Sequence, residues 1–180
     1  MDDETKSIYS LLQDIFKNVW EQQKYSEVKN GVLLTLNIAM FAIVVRVYFQ
    51  VKSVIISSNY TKIAFFILIL LFIIHIILIL QSFFPKDSNK EEFKEGSSIN
   101  IFFFGDIEKV TSEKYLELVV KKISANTDIN KVLLLDLSNQ IVILSEITQF
   151  KYISFKKNIH RMYKLGVLFV IYFSWLFFCI

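Results

Sequence analysis

Three apolar runs dominate the chain, and the stretches between them alternate polar and apolar residues with helical spacing. The strongest run, Ile63 to Phe84, holds twenty-two residues and no formal charge. A helix of that length reaches roughly 33 Å, enough for a hydrocarbon core of about 30 Å. Lys62 precedes it and Pro85-Lys86-Asp87 ends it. The run from Gly31 to Phe49 is interrupted by Asn37 and Arg46, and Val32 to Val45 alone is too short to cross. Arg46 lies near one end, where its long side chain snorkels to the headgroups, and Tyr48-Phe49 suit the interface. The last run, Leu165 to Ile180, is marginal at about 24 Å. Starting its helix at Ile159, with Arg161 and Lys164 snorkelling, makes it long enough, and Trp175 adds an aromatic near the far end. Transmembrane helices are therefore expected over 31–49, 63–84 and 159–180. The competing readings are a buried soluble helix for the first run and a re-entrant or interfacial tail for the last.

The intervening pattern predicts helices too. Ile8, Leu11, Leu12, Ile15, Phe16, Val19 and Trp20 repeat at steps of three and four, while Asp14, Lys17 and Glu21 fall elsewhere. Residues 1–30 thus read as an amphipathic helix with no breaker before Gly31, and its acidic start favours packing against other helices over lying on a membrane surface. Lys86 to Asn100 reads as a loop, followed by Ile101 to Gly105 as a small strand or an aromatic loop. A helical pattern over Asp106 to Ser124 puts Tyr115, Leu116, Val119, Val120 and Ile123 on one face. Asn126-Thr127-Asp128 offers caps for a further helix, which is expected to run from Ile129 through the third span. Its first half mixes Val132, Leu133, Leu137, Ile141, Ile143, Leu144 and Ile147 with Asp136, Asn139, Gln140, Glu146, Gln149 and Lys151. So much apolar surface demands neighbours, either within the chain or in a homo-oligomer. The fold expected is an all-α membrane protein: three transmembrane helices with a helical cytoplasmic module, residues 85–158, between the second and third.

Composition and charge sharpen this picture. The chain is 54% hydrophobic with four glycines and one proline, consistent with long helices. Twenty basic against seventeen acidic residues leave only +3, so nucleic acid is not an expected partner. The short loop between the first two spans, Gln50 to Thr61, carries only Lys52, whereas Lys86, Lys90, Lys94, Lys151, Lys156, Lys157, Arg161 and Lys164 flank the other ends. The basic bias predicts that the N-terminus and the central segment are cytoplasmic in a multi-pass inner-membrane protein. Met1-Asp2-Asp3-Glu4 is acidic where a secretory signal is basic, so the first apolar run is expected to remain in the mature chain. The lone Cys179 has no partner for a disulfide and reads as a lipid-facing thiol.

Candidate chemistry is sparse. His75 lies mid-span, where an ionisable residue points to function, although a polar partner such as Asn37 satisfies it structurally. His160 beside Arg161 reads as interfacial, and Glu91-Glu92 as a solvated acidic run. Phe104-Gly105-Asp106 has no accompanying kinase element. No phosphate loop, nucleophile elbow or metal spacing occurs. No enzyme activity, cofactor or metal is expected. Lys29-Asn30 at the mouth of the first span, with Gln140, Lys151 and Tyr152 on the long helix and the Phe102-Phe103-Phe104 run, supply a cation, amides and aromatics. Those groups suit a nucleotide's phosphate and base, though helix-packing hydrogen bonds and interfacial anchoring account for each residue singly.

Several short motifs occur in a telling order: Glu27-Val28-Lys29-Asn30-Gly31 before a span containing Asn37; Ile101-Phe102-Phe103-Phe104-Gly105-Asp106-Ile107 and Glu113-Lys114-Tyr115 after the second span; then Asp136-Leu137, Gln140-Ile141, Leu144-Ser145, Ile147 and Lys151-Tyr152 before the last. This arrangement resembles the Pycsar transmembrane effector family of bacterial anti-phage defence, from about Glu27 onward. The resemblance implies a sensor of a cyclic nucleotide, cUMP or cCMP first, made by a partner cyclase, which then impairs the inner membrane and stops growth of the infected cell. Lys29, Asn30, Phe104, Gln140, Lys151 and Tyr152 are the ligand-binding residues expected from these readings together. A small accessory membrane subunit and a ligand-independent holin-like toxin are the alternatives.

Overall fold

The computed structural model describes residues 3–84, 99–123 and 131–178. Five helices follow one another: α1 (Asp3–Ser57), α2 (Asn59–Gln81), the single turn α3 (Phe104–Ile107), α4 (Ser112–Ile123) and α5 (Lys131–Phe178). The described residues contain no strand. The expected loop at Lys86–Ser98, the caps at Asn126-Thr127-Asp128 and Cys179 lie outside the described residues. α1, α2 and α5 are each long and apolar enough to cross a membrane. The chain divides into a helical module, Met1–Glu27 with Pro85–Tyr152, and a span unit, Val28–Phe84 with Ile153–Ile180, so α1 and α5 contribute to both.

In the helical module, α1 buries Thr5, Ile8, Leu12, Ile15, Val19 and Ser26, the three-and-four spacing read from the sequence. The module's stretch of α5 buries Leu134, Ser138, Ile141, Ser145 and Thr148 at the same spacing. A 3.5-residue repeat of this kind packs helices side by side with knobs in holes. Tyr115 and Val119 of α4, with Ile101, Phe104, Ile107 and Val110, complete this core. Of the two expectations for Ile101–Gly105 the strand is not formed: Ile101–Phe103 is a loop, and Phe104 begins the α3 turn and packs inward, while Phe102 and Phe103 stay half exposed. The helix expected from Asp106 begins at Ser112 instead. Thr111 is the reason, because its Oγ1 accepts from the backbone N–H of Lys114 at 3.4 Å and its carbonyl from that of Tyr115 at 2.8 Å. A threonine used in this way caps a new helix and ends continuity with the one before.

The span unit repeats the spacing with different contents. α2 turns Thr61, Leu68, Phe72, His75, Ile79 and Ser82 inward, and α5 turns Asn158, Leu165, Tyr172 and Leu176. The opposite face of α2, from Ile63 through Phe66, Leu70, Ile73 and Ile77, is exposed and wholly apolar. A helix with no polar face is stable only where its surroundings are also apolar, which assigns this surface to lipid. The loop expected over Gln50–Thr61 shrinks to Ser58, since α1 continues to Ser57 with one non-helical residue, Val51. Thr61 fixes this tight turn by donating Oγ1–H toward the carbonyls of Ile55 (2.6 Å) and Ser58 (2.7 Å), while Tyr172 donates to the Thr61 carbonyl at 3.1 Å.

Candidate functional site

The helical module holds a buried cation. Lys151, 5% exposed on α5, pairs its ammonium with the carboxylate of Glu27 on α1. Next along α5, Tyr152 donates its hydroxyl to Gln22 Oε1 at 3.4 Å. The Tyr152 ring lies 5.3 Å from that of Phe104, which in turn lies 4.9 Å from Phe103. Gly105 is required behind these rings: a Cβ there would come within 2.7 Å of Phe103 Cε1 and 3.3 Å of Gln149 Oε1. The arrangement offers one positive charge, two amides and an aromatic pair, with the cation shielded from water. Such a cation binds a phosphate oxygen more strongly than an exposed lysine does.

Of the six residues expected from the sequence, Phe104 and Tyr152 are brought into ring contact, and Lys151 precedes Tyr152 on α5. Gln140 is exposed and stands eleven residues before Lys151, about 16 Å along the helix axis. Lys29 and Asn30 belong to the span unit, where Lys29 Nζ lies 5.8 Å over the Phe155 ring and Asn30 Oδ1 accepts from Ser82 Oγ at 3.3 Å. Glu27, Gln22 and Gln149 join the cluster without having been singled out as ligands. Glu27 was visible beforehand only as part of the motif opening the first span.

A second polar feature of the module is a pair of carboxyl groups. Burial pushes the Glu108 carboxyl up to about 7; Lys109 opposes the shift and Glu146 adds to it. Asp106 behaves oppositely, held below its ordinary value chiefly by the hydrogen bond from Lys109 at 2.7 Å. Between the ordinary value of 4.5 and about 7, folded Glu108 keeps a proton that the unfolded chain has released. Its contribution to stability is therefore complete below pH 4.5 and is lost as pH rises through about 7. After solvent screening the loss should be on the order of 1 kcal/mol. Thermal unfolding of purified protein across this range should show that decline, and Glu108→Gln should flatten it.

The span unit has its own polar layer, joining all three of its helices. His75 Nδ1 lies 3.2 Å from Asn37 Oδ1, and Nε2 lies 3.0 Å from the carbonyl oxygen of Asn158. A neutral imidazole meets both contacts when Nε2–H donates to Asn158 and the Asn37 amide nitrogen donates to Nδ1. That orientation also employs the otherwise unpartnered Asn37 Nδ2. Arg161 donates to Asn158 Oδ1 at 3.0 Å. His75→Leu keeps the volume and removes both bonds, so it should weaken the span unit by about 1–2 kcal/mol. Resistance to denaturing detergent measures this directly.

Elsewhere, a hollow of about 340 Å³ between α2 and α5, lined by Leu68, Leu71, Leu168 and Ile171 among others, is apolar and offers nothing to a phosphate. Among the described residues no three His, Cys, Asp or Glu side chains gather as metal ligands. In comparison with known proteins, the family model described as Pycsar effector protein domain matches residues 11–179. No curated protein and no solved structure matches the chain.

Proposed function

We propose that this chain, which belongs to the Pycsar effector family, is switched on by a cyclic nucleotide and then breaches the inner membrane of the infected cell. Family membership makes it an effector of Pycsar anti-phage defence. The nucleotide, its site and the membrane damage are the reading offered here. One observation carries it: the buried ammonium of Lys151 is followed along α5 by Tyr152, whose ring faces that of Phe104 at 5.3 Å, and a cation with neighbouring aromatics suits a phosphate and a base. The proposed topology places the N-terminus and the helical module in the cytoplasm, where a partner cyclase releases cUMP or cCMP. No catalytic step is involved.

The means of coupling is covalent. α1 supplies Ile8 to Val19 to the module's core and Leu33 and Val44 to the span unit's core, and α5 divides its buried residues likewise. A ligand that prefers one setting of α1 against α5 in the module therefore acts on the same rods that cross the membrane. Reversing a 1:99 equilibrium requires about 5.5 kcal/mol of differential binding. One charge-assisted contact supplies about half of that at most, so base stacking must provide much of the rest. Val132, Leu133 and Ile143 remain exposed and apolar on α5, which supports a homo-oligomer as the active form.

The test is membrane potential in cells carrying the chain, with and without production of cUMP or cCMP. Depolarisation only when a nucleotide is made supports the reading. Depolarisation on expression alone would favour a ligand-independent permeabiliser, and unchanged potential throughout would favour an accessory subunit.

A further inference from the structure

We infer that the Glu27–Lys151 ion pair is an internal latch: Glu27 occupies the anion position of the module, and a ligand phosphate activates the chain by displacing it. This inference rests on the reading of the module as a nucleotide sensor and specifies how that sensor is held off.

The first ground is the unequal burial of the pair. The Lys151 side chain is 7% exposed and that of Glu27 is 46% exposed. A buried ammonium needs an anion beside it, but nothing demands that the anion be Glu27. A half-exposed carboxylate returns to water at little cost, whereas the lysine cannot follow it. Exchange of one anion for another is thus the easy motion at this site.

The second ground is position along the chain. Glu27 is the last residue that α1 gives to the module, and Lys151 is next to the last that α5 gives. The ion pair and the Tyr152–Gln22 hydrogen bond join the two helices in the final turns of their stay there. Removing Glu27 from Lys151 loosens α1 from α5 where both helices leave the module. The third ground is what surrounds the cation. A phosphate seated on Lys151 has next to it along α5 the partly buried Tyr152, whose ring faces Phe104 and whose hydroxyl bonds Gln22.

Competition fixes the sign of the effect. Glu27 and the phosphate want the same ammonium, so Glu27 raises the nucleotide concentration needed for activation and suppresses activity without it. The full-length chain is expressed in cells lacking any nucleotide cyclase, with membrane potential and membrane-fraction abundance recorded. E27Q should raise the depolarised fraction by about tenfold or more, as expected when an equilibrium loses a buried pairing. E27D, which keeps the carboxylate, should stay polarised. The charge swap E27K/K151E should restore silence, because an ion pair again joins α1 to α5. E27A/K151M leaves no lone buried charge to disturb folding and should leak like E27Q.

The latch is overturned if E27Q and E27A/K151M, present in the membrane at wild-type level, remain polarised, or if the charge swap leaks as much as E27Q. Supplying cUMP, cCMP or inorganic phosphate to energised inside-out membrane vesicles carrying the full-length chain separates this from the sensor reading. Leaky E27Q with an unresponsive wild type retains the latch and removes these nucleotides as ligands. A responsive wild type, with E27Q needing as much nucleotide and leaking no more, retains the sensor and removes the latch.

Discussion

Replacing Lys151 by methionine is expected to abolish the response to nucleotide. In a titration of cUMP or cCMP against membrane potential, the half-maximal concentration should rise by roughly a hundredfold, or the curve should lie flat. A charge-assisted bond from a shielded ammonium to a phosphate is worth about 1.5–3 kcal/mol, and methionine cannot make it. Methionine preserves the length and apolar stem of lysine, so the packing of that stem survives. The variant also loses the tie to Glu27, so it should already be depolarised without nucleotide, as E27A/K151M is, and its curve should lie flat from that level. Gln140→Ala is the matched control. Gln140 is exposed and about 16 Å from Lys151 along α5, so its removal should leave the midpoint within about twofold. A K151M curve superimposable on wild type would remove Lys151 from the site.

How far the sequence carried the reading differs between the two units, for a physical reason. Periodicity reports which face a helix buries, and here it located the inward rows of α1 and α4, whereas in the module's stretch of α5 the buried row runs through Leu134, Ser138, Ser145 and Thr148 while Val132, Leu133 and Ile143 stay exposed. Ile8, Leu12, Ile15 and Val19 are all buried, as are Tyr115, Leu116 and Val119. The uninterrupted helix from the third span back into the module was legible for the same reason, since no proline or glycine breaks Lys131 to Leu165. Local chemistry was harder to read. Thr111 had no visible signal as a cap, because the apolar pattern continues through Ile107 and Val110 on its far side. Gln50 to Ser57 reads as a loop because it sits between the two spans, but Thr61 closes the turn in one residue and α1 stays helical apart from Val51.

The site shows the same limit more sharply. Lys151, Tyr152 and Phe104 were selected by residue type, and the α3 turn brings Phe104 to Tyr152 on α5. Gln140 has the same residue chemistry and nearly the same angular position on α5, but it is three turns away. Sequence spacing alone cannot tell which turn of a long helix a loop will cover. Glu27 was overlooked because an acidic residue is a poor candidate for binding an anion. Its importance lies in opposing the ligand, and that role is visible only once its partner is known.

The largest structural effect should come from Tyr115→Ala. Tyr115 is fully buried at the centre of the helical module, and its hydroxyl donates to the Ile101 carbonyl at 3.1 Å. Burial raises the phenol above its ordinary value, which keeps it a neutral donor at every physiological pH. Truncation to alanine removes the ring, opens a cavity and strands the carbonyl, together about 3–5 kcal/mol. Against a typical total of about 5–15 kcal/mol, that loss leaves a substantial fraction of modules open. Tyr115→Phe keeps the ring and removes only the hydroxyl, so it should cost about 1 kcal/mol. Hydrogen exchange at α3 and α4 reads the difference: protection of Tyr115 and Val119 amides should collapse in Y115A and persist in Y115F. Insertion should not follow the same pattern, because the apolar outer face of α2 partitions into lipid whatever the state of the module. Y115A should therefore remain in the membrane fraction and fail to respond to nucleotide, whereas Y115F responds. Equal protection in the two variants would place the ring outside the core. A responsive Y115A with unprotected α3 and α4 would separate sensing from the Phe104 turn altogether, since Tyr115 and Phe104 share one buried core.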